Sequence, residues 1–349
     1  MRLVFIYYLK EDRGSAQDLM SYVKAARKLG HEVSVYGRGG GISPFDCSQR
    51  IEKSDAAIFI FEWTTELSDG RALDYVRLVS KIPRNRRVVI DCDGRYNAMI
   101  DIRKDFNHSD SAEAQTWMYL CDSLTDKILQ STFEPKRNNV RPFLFHAYDP
   151  SWEKPLDYRN KNYGMVYVGN NWFRWHLLNG VLQAVKPIVD RVGRIAIVGH
   201  GWDGPAPWAG PEVRTEAYYF EPAYLRSLGV EVFPPIPFTQ VVDWMSKGLI
   251  NPVIYRPLFT HLKLVTCRSY ETFSANTIPL FPEHEGTLID LYGDAAAELV
   301  MADDPTGKIE DVLSRPRHYA GIVAHIRAHL AENHCHAARL KELLRIVES

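Results

Sequence analysis

The chain has 349 residues, which exceeds the length of one typical domain. Hydrophobic residues make up 46% and charged residues 24%, so the chain can bury a large core and is not disordered. The 42 Lys and Arg residues and the 43 Asp and Glu residues give a formal net charge of -1, which excludes a global positive field that attracts nucleic acids or anionic membranes. We therefore expect no nucleic-acid partner. The five cysteines form no CxxC pair, and no apolar stretch reaches the roughly 20 residues that cross a bilayer, so we expect a cytoplasmic protein.

Short apolar segments alternate with a helical pattern in the first half of the chain. Because these segments have no polar face, they predict buried strands of a parallel sheet. Gly30 ends the helical pattern between the first two segments. The predicted strands cover Leu3–Tyr8, Glu32–Tyr36, Ala56–Phe61, Arg87–Ile90 and Arg141–Phe145, and the predicted helix covers Ala16–Leu29.

Residues 150–163 are polar, contain proline and show no hydrophobic period, which predicts a linker. We place the domain boundary there, with an N-terminal domain over 1–155 and a C-terminal domain over 156–349 that includes the C-terminal helices. Strands and helices alternate again after the linker, so each half is predicted to be α/β and Rossmann-like. The predicted strands are Gly164–Val168 and Ile195–Val198, and the predicted helices are Leu177–Val189 and His318–Val347.

The residues that follow each strand are the first candidates for a site, since open α/β sheets bind ligands beyond the carboxyl ends of their strands. Gly169, Asn170 and Asn171 follow a strand directly, and Arg174 comes just before the next helix. Glycine lets a backbone approach a ligand, the helix N-terminus offers N–H groups to an anion, and the guanidinium adds a fixed positive fork. This turn is predicted to bind a diphosphate; the alternative is an ordinary strand-to-helix turn.

A second candidate lies in a short predicted helix that precedes a strand near Ile278. The carboxylate of Glu271 can accept hydrogen bonds from both hydroxyls of a ribose, and Arg268 or Lys263 can meet phosphate oxygens. Arg268 and Glu271 are three residues apart, so a surface ion pair on the helix is the alternative.

The motifs of the second half resemble the donor site of GT-B glycosyltransferases. Thr266-x-Arg268-x-Tyr270-Glu271, followed by Ile278, is similar to the R-x-F-E-x-x-x-x-G-x-x-x-L pattern of the spore-maturation-protein-like glycosyltransferases. Residues 332–344 resemble the C-terminal E-H-T-x-x-x-R-x-x-E-L-L helix of that group, which is related to the glycosyl transferases group 1 family. The resemblance extends over 168–174 and 251–256, so it spans most of residues 164–349.

The resemblance implies a GT-B fold, in which two Rossmann-like domains face each other across a cleft, with a nucleoside-diphosphate sugar as donor. It implies Glu271 as the ribose-binding carboxylate, Arg268 and Arg174 as diphosphate contacts, and Arg256 as a weaker candidate for the same charge. Two positions depart from the pattern. Lys263 stands where retaining GT-B enzymes have a second Glu, and the Ser-Ala-Asn-Thr run at 274–277 stands where the group usually has Gly.

The acceptor side is predicted at the ends of N-terminal strands. Asp93, in the acidic run Asp91-Cys92-Asp93, can orient or deprotonate an acceptor hydroxyl, and His146, which titrates near neutrality, can contact the sugar or its acceptor. The alternatives are structural capping by the aspartates and a structural role for His146. The Asp-x-Asp spacing also occurs in metal-dependent transferases of another fold, but arginines meet the donor phosphates better, so we predict no metal and no cofactor.

Four C-terminal histidines, His325, His329, His334 and His336, are a further metal candidate. The zincin pattern needs Glu after its first His, and Ile326 follows His325. We therefore predict a solvated helix face.

The predicted function is transfer of a sugar from a nucleoside-diphosphate sugar to an unknown acceptor hydroxyl, without a metal and with retention of configuration. If the enzyme inverts, Asp93 or His146 is the base. The alternatives are a nucleotide-sugar epimerase and a non-catalytic nucleotide-sugar-binding protein. The lack of a basic excess disfavours a DNA-modifying transferase.

Overall fold

A computed structural model describes residues 1–7, 14–36, 51–62, 81–97, 111–204, 218–282 and 287–349, so Tyr8 of the first predicted strand lies outside the described residues. The chain forms two compact units. Unit 1 consists of Met1–Ala147, His261–Cys267 and His334–Ser349, and unit 2 consists of Tyr148–Thr260 and Arg268–Asn333.

Unit 1 contains a parallel sheet. Among the described residues it has six strands: β1 (Arg2–Ile6), β2 (Glu32–Tyr36), β3 (Ala56–Phe61), β4 (Arg87–Asp91), β5 (Ile128–Gln130) and β6 (Val140–Pro142). Their order is β2-β1-β3-β4-β5-β6, and each neighbouring pair runs parallel. All six residues of β3 are buried, which explains why its sequence is an unbroken apolar run.

Hydrophobic cores lie on both faces of this sheet. Alternate residues of a strand point to opposite faces, and Leu3 and Phe5 belong to one core while Val4 and Ile6 belong to the other. The first core is covered by α1 (Gly14–Lys28), and the second by α2 (Ser111–Leu124).

Unit 2 contains a second parallel sheet. Its five strands in the described part of the chain are β7 (Tyr163–Val168), β8 (Ile195–Val198), β9 (Val230–Phe233), β10 (Gly248–Pro252) and β11 (Ile278–Leu280). Their order is β11-β10-β7-β8-β9, again with parallel neighbours.

Helices connect the strands of unit 2 and also follow its last strand. They are α3 (Trp175–Val185), α4 (Val189–Val192), α5 (Pro222–Ser227), α6 (Val241–Met245), α7 (Pro257–His261), α8 (Cys267–Ser274), α9 (Leu288–Tyr292), α10 (Pro305–Ser314) and α11 (Pro316–Asn333). Short 3-10 helices in the two units cover Ile51–Lys53, Arg84–Arg86, Pro150–Trp152, Lys186–Ile188, Phe238–Gln240 and Asp294–Leu299.

The last helix, α12 (His336–Glu348), belongs to unit 1. Its apolar side chains Leu340, Leu343, Leu344 and Val347 join the core that is covered by α1. Burying a side chain of this size contributes ~1.5–3 kcal/mol, which is why this segment packs with residues more than 300 positions earlier. The structure therefore divides the chain differently from the single boundary near residue 155, because 334–349 packs with the first unit.

Both sheets have a topological switch point, the place where successive connections leave toward opposite edges of the sheet. In unit 1 the chain runs from β1 to β2 on one side and then to β3 on the other. In unit 2 it runs from β7 through β8 and β9 on one side and then to β10 on the other. Ligands of open α/β sheets bind beyond the carboxyl ends of the strands at such a point. The candidate ligand sites are therefore the carboxyl ends of β1 and β3 in unit 1, and of β7 and β10 in unit 2.

The strands β1 to β4, β7, β8 and β11 were predicted close to their observed positions, whereas β5, β9 and β10 were not predicted. The strand predicted at Arg141–Phe145 is observed as β6, which ends at Pro142; the Phe143 N–H still donates to the Gln130 carbonyl at 2.9 Å, and Phe143, Leu144 and Phe145 are buried. The single helix predicted over His318–Val347 is two helices, α11 and α12, and the chain leaves the helical conformation at Cys335, whose φ is -80° and ψ is 162°.

Candidate functional site

Two glycine-containing loops meet at the carboxyl edge of the second sheet. The Gly169 N–H donates to the Val198 carbonyl at 2.8 Å. A Cβ on Gly169 would lie 2.6 Å from the Tyr167 hydroxyl oxygen, and one on Gly199, whose φ is 147°, would lie 2.3 Å from the Gly169 carbonyl oxygen. At Gly199 the obstacle is backbone, so glycine is required for the close approach of the two loops, whereas a side chain on Gly169 would have to displace the Tyr167 hydroxyl.

Asn170 and Asn171 hold these two loops together. The Asn170 side-chain oxygen accepts the His200 N–H at 2.9 Å. Asn171 is fully buried, and its amide donates to the Gly201 carbonyl at 2.9 Å. The side chains fix the shape of the turn, and direct donor contacts by Asn170 and Asn171 stay a prediction.

Arg174 lies at the N-cap of α3, directly after a strained residue. Phe173 has a φ of 52°, in the left-handed region that a bulky side chain rarely adopts. The Arg174 Nη1 donates to the carbonyls of Asn170 at 3.2 Å and Trp172 at 3.3 Å. The guanidinium is therefore folded against its own turn, next to the free N–H groups at the start of α3.

Arg268 and Glu271 lie on α8 with an Arg268 Nε to Glu271 Oε2 distance of 3.7 Å. The Glu271 side chain is only 3% exposed, so this is not the surface ion pair that was the alternative interpretation. A buried carboxylate needs strong partners, which a ribose or a guanidinium can provide.

The positive charges of Arg174 and Arg268 both act on the Tyr167 hydroxyl. Burial raises the pKa of Tyr167, and these two charges act in the opposite direction. The same oxygen is the atom that a Cβ on Gly169 would meet first. Tyr167 of β7 thus connects the Gly169 turn with the two arginines, and Glu271 pairs with Arg268.

Arg256 follows β10, on the other side of the switch point. Its guanidinium carbon lies 4.0 Å from the centre of the Phe259 ring, so the cation stacks on an aromatic face. Asn251 of β10 is a residue that the sequence did not single out. It is 1% exposed, and within the described residues its Nδ2 has no hydrogen-bond partner.

Arg327 of α11 anchors the end of α8. Its guanidinium, buried in the same unit, donates to the carbonyls of Phe273 at 2.6 Å, Ala275 at 2.8 Å and Lys154 at 2.8 Å. The last carbonyls of a helix lack partners within the helix and carry partial negative charge, which a cation stabilises.

Asp91 and Asp93 at the end of β4 do different work. Asp91 accepts the backbone N–H groups of Arg95 at 2.9 Å and Tyr96 at 2.8 Å, and the Gln130 amide at 2.8 Å. Burial raises its pKa, and these hydrogen bonds offset only part of that increase. Asp91 is thus a capping residue, which was the alternative role predicted from the sequence. Asp93, two residues later, is half-buried.

His146 belongs to a buried network that the sequence did not reveal. Its Nδ1 lies 2.7 Å from Asp18 Oδ2, and His336 Nε2 lies 2.9 Å from Asp18 Oδ1. Burial alone would raise the pKa of Asp18 and lower that of His146, but their mutual attraction outweighs burial. The pKa of Asp18 is lowered and that of His146 raised, so the structure favours the charged form of each group.

Glu62 is a second residue that sequence reasoning missed. It follows β3 directly, and its carboxylate accepts the Tyr7 hydroxyl at 2.8 Å and the Ser15 hydroxyl. The rule that ligands lie beyond strand ends was a sufficient signal, since Glu62 is the first residue after the apolar run of β3.

The four C-terminal histidines do not share one solvated face. His334 and His336 are buried, His325 is exposed and His329 is half-buried. The solvated-face prediction was wrong for His334 and His336, because α12 turns into the core of unit 1. In the part of the chain that the structure describes, no group of three or more His, Cys, Asp or Glu side chains is placed to hold a metal ion.

A search of the described residues for a helix long and apolar enough to span a membrane finds none.

No protein-family model matches the chain, and no curated protein does. Solved structures that resemble it include glucosyltransferases of the GT-B fold. T4 phage BGT in complex with UDP-glucose has a TM-score of 0.57 at 11% identity, covering 100% of both chains. An α-glucosyltransferase with UDP has a TM-score of 0.64 at 13% identity, and its complex with UDP and DNA containing an HMU base scores 0.63 at 13%; each covers 100% of this chain and 99% of the other.

These likenesses establish the fold. The chain has the GT-B fold, which confirms the fold class predicted from the sequence. At 11–13% identity these likenesses show the fold alone, so the activity has to be inferred from the residues.

Proposed function

We propose that this protein is a glycosyltransferase that moves a sugar from a nucleoside-diphosphate sugar to an acceptor hydroxyl. The observation that supports the proposal is that the charges of Arg174 and Arg268 both act on Tyr167 of β7, while Arg268 pairs with the buried Glu271. Two cations, a loop that begins with glycine and a helix N-terminus match a diphosphate, and a buried carboxylate matches a ribose.

The arginines act on the leaving group. When the bond between the anomeric carbon and the diphosphate breaks, negative charge grows on the diphosphate oxygens. Cations fixed at that position stabilise the transition state more than the ground state, which is what accelerates the reaction. Arg174 and Arg268 supply this charge, with Arg256 as a further candidate.

The acidic edge of the first sheet supplies the base. The acceptor hydroxyl must lose its proton as it attacks, and the half-buried carboxylate of Asp93 is placed at a strand end where it can take that proton. Asp18 holds the His146 imidazolium, which adds a positive charge at the same edge of the first sheet. The presence of a base favours a single displacement with inversion over the retaining course that the family resemblance implied.

The neighbours support a sugar nucleotide as donor and DNA as acceptor. T4 phage BGT is described with UDP-glucose as its substrate, and the α-glucosyltransferase is described with DNA that contains an HMU base. The expectation of no nucleic-acid partner was drawn from a net charge of -1, which does not describe local charge. We propose a hydroxyl group on a DNA base as the acceptor class.

Two finer interpretations go with this proposal. The motifs of residues 164–349 support a relationship to the spore-maturation-protein-like glycosyltransferases, and the scattered cysteines support action in the cytoplasm. No metal is assigned a role.

The first test is nucleotide binding. We expect UDP or another nucleoside diphosphate to raise the melting temperature, because a ligand bound only to the native state stabilises it. Glu271→Gln removes hydrogen bonds to a charged group, worth about 1.5–3 kcal/mol, so its affinity should fall about 10- to 100-fold. Glu310→Gln, a carboxylate of the same unit paired with exposed Arg191, is the matched control and should bind like the wild type.

The second test is turnover. With UDP-glucose and DNA containing hydroxymethylated bases, the wild type should release UDP and glucosylate the DNA. Arg268→Met should lose about 100-fold in kcat, in the range found for removing one group that stabilises developing negative charge. Arg159→Met, which removes an exposed guanidinium, should not. An altered sugar without transfer would instead indicate an epimerase, and tight binding without turnover a non-catalytic protein.

A further inference from the structure

A short segment, which we call the strap, runs over His261–Cys267 and belongs to unit 1, whereas the chain on either side of it belongs to unit 2. The strap connects α7 with α8. Its last residue, Cys267, is also the first residue of the helix that carries Arg268 and Glu271. The chain therefore visits unit 1 immediately before it forms the helix of the proposed donor site.

Buried hydrogen bonds fasten the strap to the residues that follow β5. The Val265 N–H donates to the Ser131 carbonyl at 2.7 Å, and the Ser131 hydroxyl donates to the Val265 carbonyl at 2.8 Å. The Thr132 hydroxyl donates to the Leu262 carbonyl at 3.0 Å. All four residues are buried, and a buried polar group that loses its partner is costly, so these contacts hold the strap in one place.

The strap also packs on the loop that contains Asp93. Gly94, whose φ is 72°, follows Asp93 directly, and a Cβ on Gly94 would lie 2.5 Å from Leu262 Cδ1 and 3.3 Å from Leu264 Cδ1. Asp91 fixes the same loop through its hydrogen bonds to two backbone N–H groups. Two buried leucines of the strap thus support the backbone beside Asp93.

One segment therefore contacts the loop of the proposed base and continues into the helix of the proposed donor site. We propose that the strap makes the two sites act together, with Leu262 and Leu264 as positioning residues for Asp93. The inference rests on the proposed function and deepens its acceptor site.

The strap can transmit an effect in both directions. A nucleotide sugar held by Arg268 and Glu271 fixes the start of α8, and with it the strap that supports Gly94 and Asp93. The base is then in place when the donor is bound. Because a coupling between two sites is reciprocal, a disturbance at Gly94 must in turn weaken nucleotide binding.

Gly94→Ala tests this coupling from the acceptor side. The new methyl group would lie 2.5 Å from Leu262 Cδ1, so it should displace the strap while every side chain of the donor site is kept. In calorimetric titration with UDP, we expect the affinity to fall about 10-fold, within the range usual for coupled sites. Gly30→Ala is the matched control: Gly30 lies in the same unit with a φ of 76°, and nothing lies within 4 Å of its Cβ, so UDP affinity should be unchanged.

The double variant Gly94→Ala with Leu262→Ala separates coupling from a loss of stability. The shorter side chain makes room for the methyl group, so UDP affinity should return to within about threefold of the wild type. The melting temperature should stay low, because the large-to-small change removes buried apolar contacts. A merely structural role would lower the melting temperature of Gly94→Ala and leave its UDP affinity unchanged.

Amide hydrogen exchange on the full chain without ligand distinguishes failure of the strap from failure of the proposed function. In Gly94→Ala the amides of α8 should exchange about 10-fold faster, while those of α3 in the same unit keep the wild-type rate. If the wild type binds no nucleoside diphosphate, the proposed function fails, and exchange in α8 still decides whether the strap acts on this helix.

Two results would overturn the coupling. One is wild-type exchange in α8 of Gly94→Ala, and the other is a UDP affinity within about twofold of the wild type. If Gly94→Ala does not fold, Thr132→Val takes its place in both measurements, since it removes the hydrogen bond to the Leu262 carbonyl and keeps the size of the side chain.

Discussion

Each unit contains an open parallel sheet with a switch point, but the strand orders differ and the side chains near the two points carry opposite charges. Glu62 follows β3 at the switch point of the first sheet and Asp93 follows the neighbouring β4, whereas the Gly169 turn and Arg174 follow β7 at the switch point of the second sheet. The parallel sheet fixes where a ligand can bind, and a few side chains after the strands decide what binds. One edge suits a hydroxyl that must lose a proton, and the other suits a diphosphate.

This difference is invisible in the net charge of -1, because the acidic and basic edges cancel in the sum. Substitutions at each edge can test this difference. Substitutions at the acidic edge should impair transfer while nucleotide binding persists, and substitutions at the basic edge should impair binding.

The largest effect is expected for Asp93→Asn. Asparagine cannot accept the acceptor proton, so kcat should fall about 1,000-fold, in the middle of the range for general bases. Steady-state kinetics with UDP-glucose and DNA containing hydroxymethylated bases measures this loss. The melting-temperature shift produced by UDP should stay as in the wild type.

Asp55→Asn is the control for this variant, since Asp55 accepts only an exposed backbone contact from Arg2 at the opposite end of the sheet. If Asp93→Asn instead abolishes UDP binding and leaves kcat intact, the assignment of acceptor chemistry to the acidic edge is wrong.

Asp18→Asn should reduce stability rather than nucleotide affinity. Removing one partner of a buried ion pair costs about 3–5 kcal/mol, and His146 and His336 both lose a carboxylate oxygen. Denaturant unfolding measures this change. Asp126→Asn, at an exposed pair with Arg84, should unfold like the wild type.

The pH dependence of this stability has a defined sign. The pKa of His146 is raised above its ordinary 6.5, so its contribution is full below that value and is lost as the pH rises through the raised pKa. The pKa of Asp18 is lowered below 3.8, so its contribution is present above that value and is lost as the pH falls through the lowered pKa. The stability difference between wild type and Asp18→Asn should therefore be largest between these limits; a difference that does not vary with pH would contradict the ion pair.

The smallest effect is expected for Gly169→Ala, which sharpens the basic edge. The new methyl group would lie 2.6 Å from the Tyr167 hydroxyl oxygen, so overpacking should cost about 1–3 kcal/mol in unfolding free energy and weaken UDP binding. The double variant with Tyr167→Phe should recover part of both losses, because the clashing oxygen is gone. Gly180→Ala, a helix position with open space around it, should be neutral or stabilising.

The strands of the fold were predictable where the apolar run was long. β3 and β7 are apolar runs of six residues, which only a buried strand explains well. β5 has three residues, too few for any periodicity, and its place is set by neighbours on both sides. The break between α11 and α12 has neither proline nor glycine at 333–336, so only packing reveals it.

The site divides in the same way. Asp93, Arg174, Arg268 and Glu271 lie next to recognisable strands or motifs, so local sequence was enough to nominate them. Glu62 could have been found by the same rule. The partnership of Asp18 with His336 could not, because 318 positions separate these residues and the motif around His336 does not point to Asp18.

The return of α12 to the first core also has a consequence for biosynthesis. Residues 1–147 emerge from the ribosome first, yet they lack Leu340, Leu343 and their neighbours until the whole intervening unit has been made. Domains usually fold in the order of their synthesis, and contacts across long sequence separations form slowly. We expect the order to be reversed here, so that unit 2 completes its fold while the nascent first unit still exposes one apolar surface to chaperones.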